Sequence, residues 1–339
     1  ELAGVTAETA DPSGGRIERD AAGEPQGTLH EEAQHLVWRL FPEMTPAEWE
    51  AGILRAQSAF HALGITAWQD ARIDGPLALA AYRAVAERGE LTMRVEGNLL
   101  WDRDRGGEQI DELLELRAAG SLGRLRIRGA KIFADGVLEN FTGALLEPYV
   151  DTDNYGISML SADELEQAVV LLDSHGFQVH MHTIGDRAVR EALDALEAAE
   201  RANGRRDSRH HLAHLQLVHP DDLPRFAELG VIGNVSPLWA CRSGYVDELT
   251  VPFIGPERSA RMYPFGSLVR AGARLAFGSD WAVSTNDPLP QVEVAVTRIA
   301  PETRSLEPLL PDEALDLPSA LTAFTAGAAY VNFLEADTG

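Results

Sequence analysis

The segment His180-Met-His-Thr-Ile-Gly-Asp186 determines how the rest of the chain is interpreted, because it places two histidines at the end of a short apolar run. A second segment, Gly278-Ser-Asp-Trp281, ends another apolar run further along the chain, and helical patterns lie between the two. Polar side chains at the ends of parallel strands meet on one face of an α/β barrel, which is the face that carries active sites. The two segments therefore predict a barrel whose strand ends carry side chains of the kind that bind zinc.

Apolar runs of strand length recur along the chain, and helical patterns separate them. Several helical patterns end just before a glycine, as at Gly176, Gly204 and Gly230, which is typical of a helix C-terminus. This alternation predicts βα units and a parallel sheet with helices packed outside it. The predicted strands are residues 65–69, 93–100, 125–133, 177–182, 210–217, 231–235 and 274–277. The predicted helices are residues 45–63, 76–87, 108–118, 162–174, 187–202, 220–229, 257–271 and 318–333.

The length of 339 residues suits one barrel of this class. A closed TIM-type (β/α)8 barrel needs one strand more than the predicted runs supply, and the polar, turn-rich sequence before residue 45 does not provide it. We therefore expect residues 1–44 to be a polar segment within an insertion before the second barrel strand. We expect residues 45–339 to form an incomplete barrel domain. Because the chain begins with Glu1 and not with Met, we also expect it to start within a longer gene product.

The composition limits the classes of partner. The formal net charge is −24 and no run of Lys and Arg forms a basic patch, so we expect binding neither to nucleic acid nor to a membrane surface. No stretch approaches the ~20 apolar residues that span a bilayer. The single cysteine, Cys241, excludes an internal disulfide and fits a cytoplasmic location. The expected partner is a small-molecule substrate, and an open barrel seam would favour a homodimer.

Strand geometry separates candidate metal ligands from core histidines. Side chains alternate across a strand, so His180 and His182 point to the same side. His182 directly precedes the loop at the strand's carboxyl end and is the predicted metal ligand, whereas His180 is predicted to be a hydrogen-bonded core residue, with a second ligand as the alternative. By the same alternation His214, the second predicted ligand, pairs with His210, and His211 points to the other side.

Lys131 and Asp280 complete the predicted metal ligands. An isolated ammonium inside a barrel loses much hydration free energy, so Lys131 must be neutralised or paired. Carbamylation would make it an anionic ligand, and an ion pair with Asp135 or Glu139 is the alternative. Asp280 ends a strand whose inward positions are small, and it is the predicted catalytic base for a water whose pKa zinc lowers to ~7. The alternative role of Asp280 is a helix N-cap.

Two long connections follow strands, at residues 134–160 and 236–258, on the face where active sites form. They are predicted to build the substrate pocket, with packing of the loops against the barrel as the alternative role of their aromatic side chains. The aromatic candidates are Phe141, Tyr149, Tyr155, Trp239 and Tyr245.

At these residues the sequence resembles the amidohydrolase superfamily, and within it the family 3 branch that contains N-substituted formamide deformylase-like proteins. The matching motifs are residues 131–136 with 148–149, residues 180–188, residues 210–216 and residues 278–281. The resemblance implies a metal-dependent (β/α)8 hydrolase with one or two divalent ions, zinc first and iron or manganese as alternatives. It also implies Lys131, in carboxylated form, as a ligand on the fourth barrel strand, His182 on the fifth and His214 on the sixth, with Asp280 on the eighth as ligand or general base.

Family members carry a His-x-His pair on the first barrel strand and a small β-sandwich built from both termini, and we expect neither in this chain. The leading hypothesis is a metal-dependent hydrolase that cleaves C–N bonds in amides, formamides or cyclic amides with metal-activated water. The alternative is a catalytically inactive barrel or truncated fragment that acts as a binding or scaffold module. A third hypothesis, a metal-free glycosidase that uses Asp135 and Glu139, leaves His182 and His214 without a role.

Overall fold

The computed structural model describes residues 2–304 and 307–337, and the chain forms two compact units, Glu1–Glu48 and Trp49–Gly339. In the first unit, β1 (Gly15–Arg19) and β2 (Pro25–Glu31) form an antiparallel hairpin, which the short helix α1 (His35–Trp38) follows. This hairpin was not among the predicted strands, and it forms a sheet of its own, so the segment supplies no barrel strand, as predicted. The hairpin turn is stabilised locally, because the Asp20 carboxylate accepts hydrogen bonds from the backbone amides of Ala22 and Glu24.

The second unit contains a seven-stranded sheet in which every strand is parallel to its neighbours and pairs in chain order. Each predicted run forms one of these strands, so the predicted parallel α/β architecture is confirmed. In the part of the chain that the structure describes, the first and last strands of this sheet do not pair with each other. The strands are β3 (Ala67–Ile73), β4 (Arg94–Leu100), β5 (Leu125–Phe133), β6 (Gln178–Thr183), β7 (His211–His214), β8 (Ile232–Val235) and β9 (Arg274–Phe277).

Helices connect the strands and begin close to where the sequence predicts. The α-helices that follow α1 are α2 (Pro46–Ala62), α3 (Gly75–Glu87), α4 (Ile110–Gly120), α5 (Ala162–Ser174), α6 (Asp186–Asn203), α7 (Leu223–Leu229), α8 (Gly244–Asp247), α9 (Val251–Ser259), α10 (Phe265–Arg270), α11 (Pro288–Thr297), α12 (Leu317–Thr322) and α13 (Ala328–Val331). Single 3-10 turns lie at Glu32–Gln34, Gly106–Gln109, Leu138–Asn140, Pro220–Asp222, Pro237–Trp239 and Pro311–Glu313, and a π-helical turn lies at Ala323–Gly327. No helix in residues 2–304 and 307–337 is long and apolar enough to cross a membrane.

Two predicted helices are interrupted. The helix predicted at residues 257–271 is divided into α9 and α10, because Tyr263 has a positive φ of 47° and Pro264 follows it. The helix predicted at residues 318–333 contains the π-helical turn between α12 and α13.

The strands separate an apolar outer layer from a polar interior. Val179 and Met181 on β6 are fully buried and belong to the large apolar cluster that also includes Val169 of α5 and Leu193 of α6. His180 lies between these two residues, and His182 follows Met181. Both histidines therefore face the opposite side of the sheet, as the alternation of β6 predicts.

The segment around α13 is fastened to the amino ends of the strands. The Arg209 guanidinium carbon lies 3.9 Å from the ring centroid of Tyr330 and 4.1 Å from that of Phe333, and the same group pairs with Glu335 at 2.8 Å. The Gln178 side-chain amide donates to the carbonyl of Val331 at 2.7 Å. In barrels of this kind, contacts at the amino ends of the strands serve stability.

We expect Arg209→Ala to lower the free energy of unfolding by about 2 kcal/mol, because the side chain is 9% exposed and loses two cation–π contacts and its ion pairs together. Arg201→Ala is the matched control, because Arg201 is 64% exposed and pairs only within its helix. The control should change the free energy by less than about 0.5 kcal/mol. Urea denaturation followed by circular dichroism measures both, and equal losses would contradict this account.

Candidate functional site

The register of three adjacent strands brings the predicted ligands together. Across β5 and β6, Lys131 is opposite His180, and across β6 and β7, His180 is opposite His211 and Thr183 is opposite His214. The ring centroids of His182 and His214 lie 4.6 Å apart in an edge-on arrangement. Two of the four predicted metal ligands are therefore direct neighbours at the carboxyl ends of their strands.

A second layer of histidines lies deeper in the barrel. The rings of His180 and His211 are 4.1 Å apart, and Nε2 of His180 lies 3.3 Å from Nζ of Lys131. The side-chain amide of Asn98 lies 2.9 Å from Nδ1 of His180, and that of Asn234 lies 3.1 Å from Nδ1 of His211. His180 is thus hydrogen-bonded through both ring nitrogens, in agreement with the core role predicted for it.

The prediction for the other strand was wrong about which histidine faces the interior. His211 lies inside the barrel, and His210 lies outside it, where it contacts Asp173. The backbone adopts positive φ angles at His214 (75°) and at Leu215 (51°), so regular alternation ends there and His214 returns to the interior. Leu212 was the signal that could have corrected this prediction. It is fully buried and faces the helix layer, so its neighbours His211 and Ala213 face the interior.

Asp135 holds His182. Its Oδ1 lies 3.1 Å from Nδ1 of His182 and also accepts the backbone N–H of Ile184 at 3.0 Å. Its Oδ2 accepts the backbone N–H groups of Gly185 at 2.8 Å and Ala144 at 3.0 Å. Burial raises the pKa of Asp135 to about 7, although the backbone donors act in the opposite direction. Sequence reasoning missed this contact; its signal was the place of Asp135, two residues after the position on β5 that pairs with His182.

Within the described residues, Lys131 forms an ion pair neither with Asp135 nor with Glu139, the two partners considered for it. Asp135 is engaged as above, and Glu139 accepts hydrogen bonds from the side chains of Gln216 and Thr250. Lys131 is 4% exposed, and this burial lowers its pKa to about 7, with Asp280 as the main opposing charge. Near neutral pH a substantial share of this amine is therefore uncharged, which is the form that reacts with carbon dioxide to give a carbamate.

The histidines of the cluster are held in their neutral form. Burial lowers the pKa of His182 to about 3, and it lowers the pKa values of His180, His211 and His214 well below the ordinary value. The positive charge of Lys131 acts in the same direction on all four. Neutral imidazole is the form in which histidine binds metal ions.

Asp280 follows β9 and is partly buried at the same end of the barrel. Burial raises its pKa, and the charge of Lys131 opposes this effect. The alternative role as a helix N-cap is wrong, because α11 is capped by Asp287, whose carboxylate accepts the backbone N–H of Leu289. Asp280 and His214 both adopt positive φ angles, 51° and 75°, a conformation that non-glycine residues adopt mostly where the surroundings enforce it and often at functional sites.

Two aromatic side chains flank the histidine pair. The Trp239 ring is stacked on His214 with centroids 5.3 Å apart and an interplanar angle of 12°. On the other side, the Phe133 ring lies 5.5 Å from the ring of His182 and 5.1 Å from Nζ of Lys131. Trp239 was among the predicted aromatic candidates, and Phe133 was not.

The other aromatic candidates do not contact the cluster in the described residues. Phe141 packs against Tyr149 and Phe253 at centroid distances of 5.1 and 4.7 Å, so it joins the two long connections to each other. Tyr155 and Tyr245 are exposed. The packing role considered for these side chains therefore applies to Phe141 and Tyr149.

The donor atoms of the cluster are of the kinds that bind a divalent metal ion. Nδ1 of His214 is buried without a hydrogen-bond partner, and Nε2 of His182 also has none within the described residues. Neutral imidazole nitrogens on two rings whose centroids lie 4.6 Å apart are suited to bind one ion. Within residues 2–304 and 307–337, however, no three side chains of the His, Cys, Asp and Glu types converge closely enough to hold a metal ion. Lys131 or Asp280 would have to complete the set.

A curled parallel sheet with helices outside and polar groups at its strand ends defines the α/β-barrel class. The family model described as "Amidohydrolase family" matches residues 1–339, and the chain belongs to this family. The membership that the motifs predicted is therefore confirmed.

Curated relatives and solved structures agree with this assignment. Protein LONG AFTER FAR-RED 3 of Arabidopsis thaliana is 31% identical over 100% of this chain and 59% of its own length. N-substituted formamide deformylase of Arthrobacter pascens is 26% identical over 98% of this chain and 61% of its own length. An uncharacterized metal-dependent hydrolase from Pyrococcus furiosus is 29% identical with a TM-score of 0.75, over 92% of this chain and 61% of that one. The chain thus spans less than two thirds of the length of these relatives.

We expect Gly185→Ala to destabilise the site, because a Cβ at this position would lie 2.0 Å from the carbonyl oxygen of Ala144. The free energy of unfolding should fall by about 2 kcal/mol or more. Gly52→Ala is the control, because Gly52 lies in α2 with open space around it and alanine favours a helix by about 0.5–1 kcal/mol over glycine. Urea denaturation measures both changes, and a neutral result for Gly185→Ala would show that the turn can move away from Ala144.

Proposed function

We propose that the protein is a metal-dependent hydrolase of C–N bonds in amides, formamides or cyclic amides. The observation that carries this proposal is the pair of neutral histidines, His182 and His214, each with a free ring nitrogen, on adjacent strand ends beside Lys131 and Asp280. Membership of the amidohydrolase family supports hydrolysis, and the likeness to N-substituted formamide deformylase supports a C–N bond as the bond cleaved. The likeness to the metal-dependent hydrolase from Pyrococcus furiosus supports a metal ion.

The ion would be held by His182 and His214, with the carboxylated form of Lys131 and with Asp280. Zinc is our first expectation, because imidazole and carboxylate ligands suit it, and iron and manganese are the alternatives. An ion bound in such a set supplies a water molecule whose pKa is lowered to ~7 and polarises a substrate carbonyl. Carboxylation of Lys131 would also remove the unpaired positive charge from the barrel interior.

Asp280 is the residue that we assign to proton transfer. The water oxygen bonds to the carbonyl carbon while Asp280 takes the water proton, and the C–N bond then breaks as Asp280 delivers this proton to the leaving nitrogen. The partly exposed position of Asp280 at the barrel mouth supports this role, because its carboxylate is accessible to substrate and also interacts with Lys131.

Phe133 and Trp239 support a substrate with a planar or apolar group next to the scissile bond. Phe133 lies beside the ring of His182, Trp239 is stacked on that of His214, and neither carries a charge. A flat apolar group between them would bury its surface without leaving a charged side chain unpaired.

The metal site is tested by elemental analysis of the purified protein after incubation with zinc and removal of the excess. We expect ~1 tightly held ion per chain, because imidazole nitrogens and a carboxylate are ordinary zinc ligands. The double variant His182→Ala/His214→Ala should lose it, while His175→Ala, at the exposed end of α5, should keep it. Absence of metal from the unmodified protein would contradict the proposal and favour a non-catalytic scaffold.

The role of Asp280 is tested on a panel of N-substituted formamides and cyclic amides. We expect Asp280→Asn to lower the turnover number by about 10²-fold or more, because the amide cannot accept the proton. Asp287→Asn is the matched control; it changes only the N-cap of α11 and should keep turnover. If Asp280→Asn had a turnover number close to that of the control, another group would have to be the base.

A further inference from the structure

We propose that Asp135 is the positioning residue for His182: its carboxylate fixes the imidazole with the proton on Nδ1, so that Nε2 presents its lone pair to the metal ion. This inference rests on the proposed function and deepens it, because it assigns a task to a side chain that is not itself a ligand. The geometry behind it is the Oδ1 to Nδ1 distance of 3.1 Å.

The hydrogen-bond network determines which partner carries the proton. A carboxylate offers about four lone-pair sites, and Asp135 uses two on Oδ1 and two on Oδ2. Three of its four partners are backbone N–H groups, which only donate. A proton on Oδ2 would therefore point at another donor, and a proton on Oδ1 could point only at Nδ1 of His182. The three backbone donors stabilise the ionised carboxylate, which only accepts, so we infer that His182 donates from Nδ1 and keeps Nε2 free of hydrogen.

The same backbone groups fix the orientation of the carboxylate. Ala144 belongs to the long connection after β5, and Ile184 and Gly185 form the turn after β6, so the carboxylate is held from two sides. The turn at Gly185 also lies close to the Ala144 carbonyl, because a Cβ there would lie 2.0 Å from the carbonyl oxygen. A carboxylate that cannot rotate transmits a fixed orientation to the imidazole, and such indirect partners commonly affect metal affinity 10–100-fold.

The deeper histidines have the opposite arrangement. The Nδ1 atoms of His180 and His211 are each next to a side-chain amide nitrogen, of Asn98 and Asn234, which donates. The ring of His211 therefore accepts at Nδ1 and carries the proton on Nε2, whereas Nε2 of His180 is engaged by the Lys131 amine at 3.3 Å, so neither ring offers a free lone pair to a metal ion. His182 differs from His180 in having a carboxylate at Nδ1, and this difference favours His182 over His180 as the ligand on β6.

The direct test is the tautomer of His182 in the metal-free, ¹⁵N-labelled protein, read from two-bond ¹H–¹⁵N correlation spectra of the imidazole rings. The signals are assigned by comparison with His182→Gln. We expect a protonated Nδ1 and an unprotonated Nε2. A proton on Nε2 of His182 in the unmodified protein would overturn the proposal, and this measurement needs no variant at Asp135 that folds.

Asp135→Asn changes the carboxylate without changing its shape. The amide oxygen should face the N–H groups of Gly185 and Ala144, which places the amide nitrogen against Nδ1 of His182 as a donor. The same nitrogen replaces the acceptor of the Ile184 N–H, so this variant also loses one backbone hydrogen bond. We expect the proton of His182 to move to Nε2 and zinc affinity, measured by competition with a chromophoric chelator, to fall 10–100-fold. An unchanged tautomer in the folded variant would overturn the proposal.

Asp173→Asn is the matched control. Asp173 is also buried and also contacts a histidine, Nε2 of His210 at 3.1 Å, but this pair lies outside the barrel. The control should leave the His182 tautomer and the zinc affinity unchanged. An affinity loss equal to that of Asp135→Asn would mean that general destabilisation, and not positioning, is measured. If the tautomers follow the proposal while the unmodified protein binds no zinc, the proposed function fails and the role of Asp135 in fixing His182 stands.

Discussion

The parallel register of β5, β6 and β7 is the constraint on which the rest of the site depends. Because these strands run side by side, one pairing places Lys131 next to His180 and another places His180 next to His211. A shift by one residue in β6 would exchange His180 and His182 for Val179 and Met181, and it would put both histidines into the helix layer. The apolar packing of α5 and α6 on the outer face therefore also fixes the chemistry of the inner face.

Burial of a cationic amine among histidines organises the electrostatics of this interior. Lys131 lacks a carboxylate partner within ion-pair distance in the described residues. Burial lowers the pKa of every histidine around it, and the charged form of Lys131 adds to this effect. The result is a polar interior that contains neutral imidazoles and one amine of lowered pKa. Such an interior is unfavourable for folding and favourable for binding a cation, which is the exchange of stability for function expected at a site of this kind.

Much of the fold follows from the sequence, because apolar runs and glycine-terminated helices are local signals. All seven barrel strands and most of the helices were predictable on this basis. The hairpin of β1 and β2 was not, because it depends on a turn stabilised by Asp20 within otherwise polar sequence. For the site, alternation identified the neighbours on β6, but it failed at His211, because the positive φ angles of His214 and Leu215 are set by the surrounding structure. The contact of Asp135 with His182 joins two strands, and single-strand reasoning does not address such pairs.

The stacking of Trp239 on His214 links the width of the pocket to the orientation of an imidazole in the cluster, two properties that proteins often vary separately. Trp239 belongs to a loop, and loops change readily when an enzyme family acquires new substrates. Here a rearrangement of that loop would also alter the orientation of an imidazole in the cluster, so, with His214 in its proposed role as a metal ligand, a wider or narrower pocket on this side would come with altered metal affinity. Tyr155 and Tyr245 are exposed and contact no ring of the cluster in the described residues. Diversification of substrate range in this lineage is therefore less constrained at these two tyrosines than at the tryptophan.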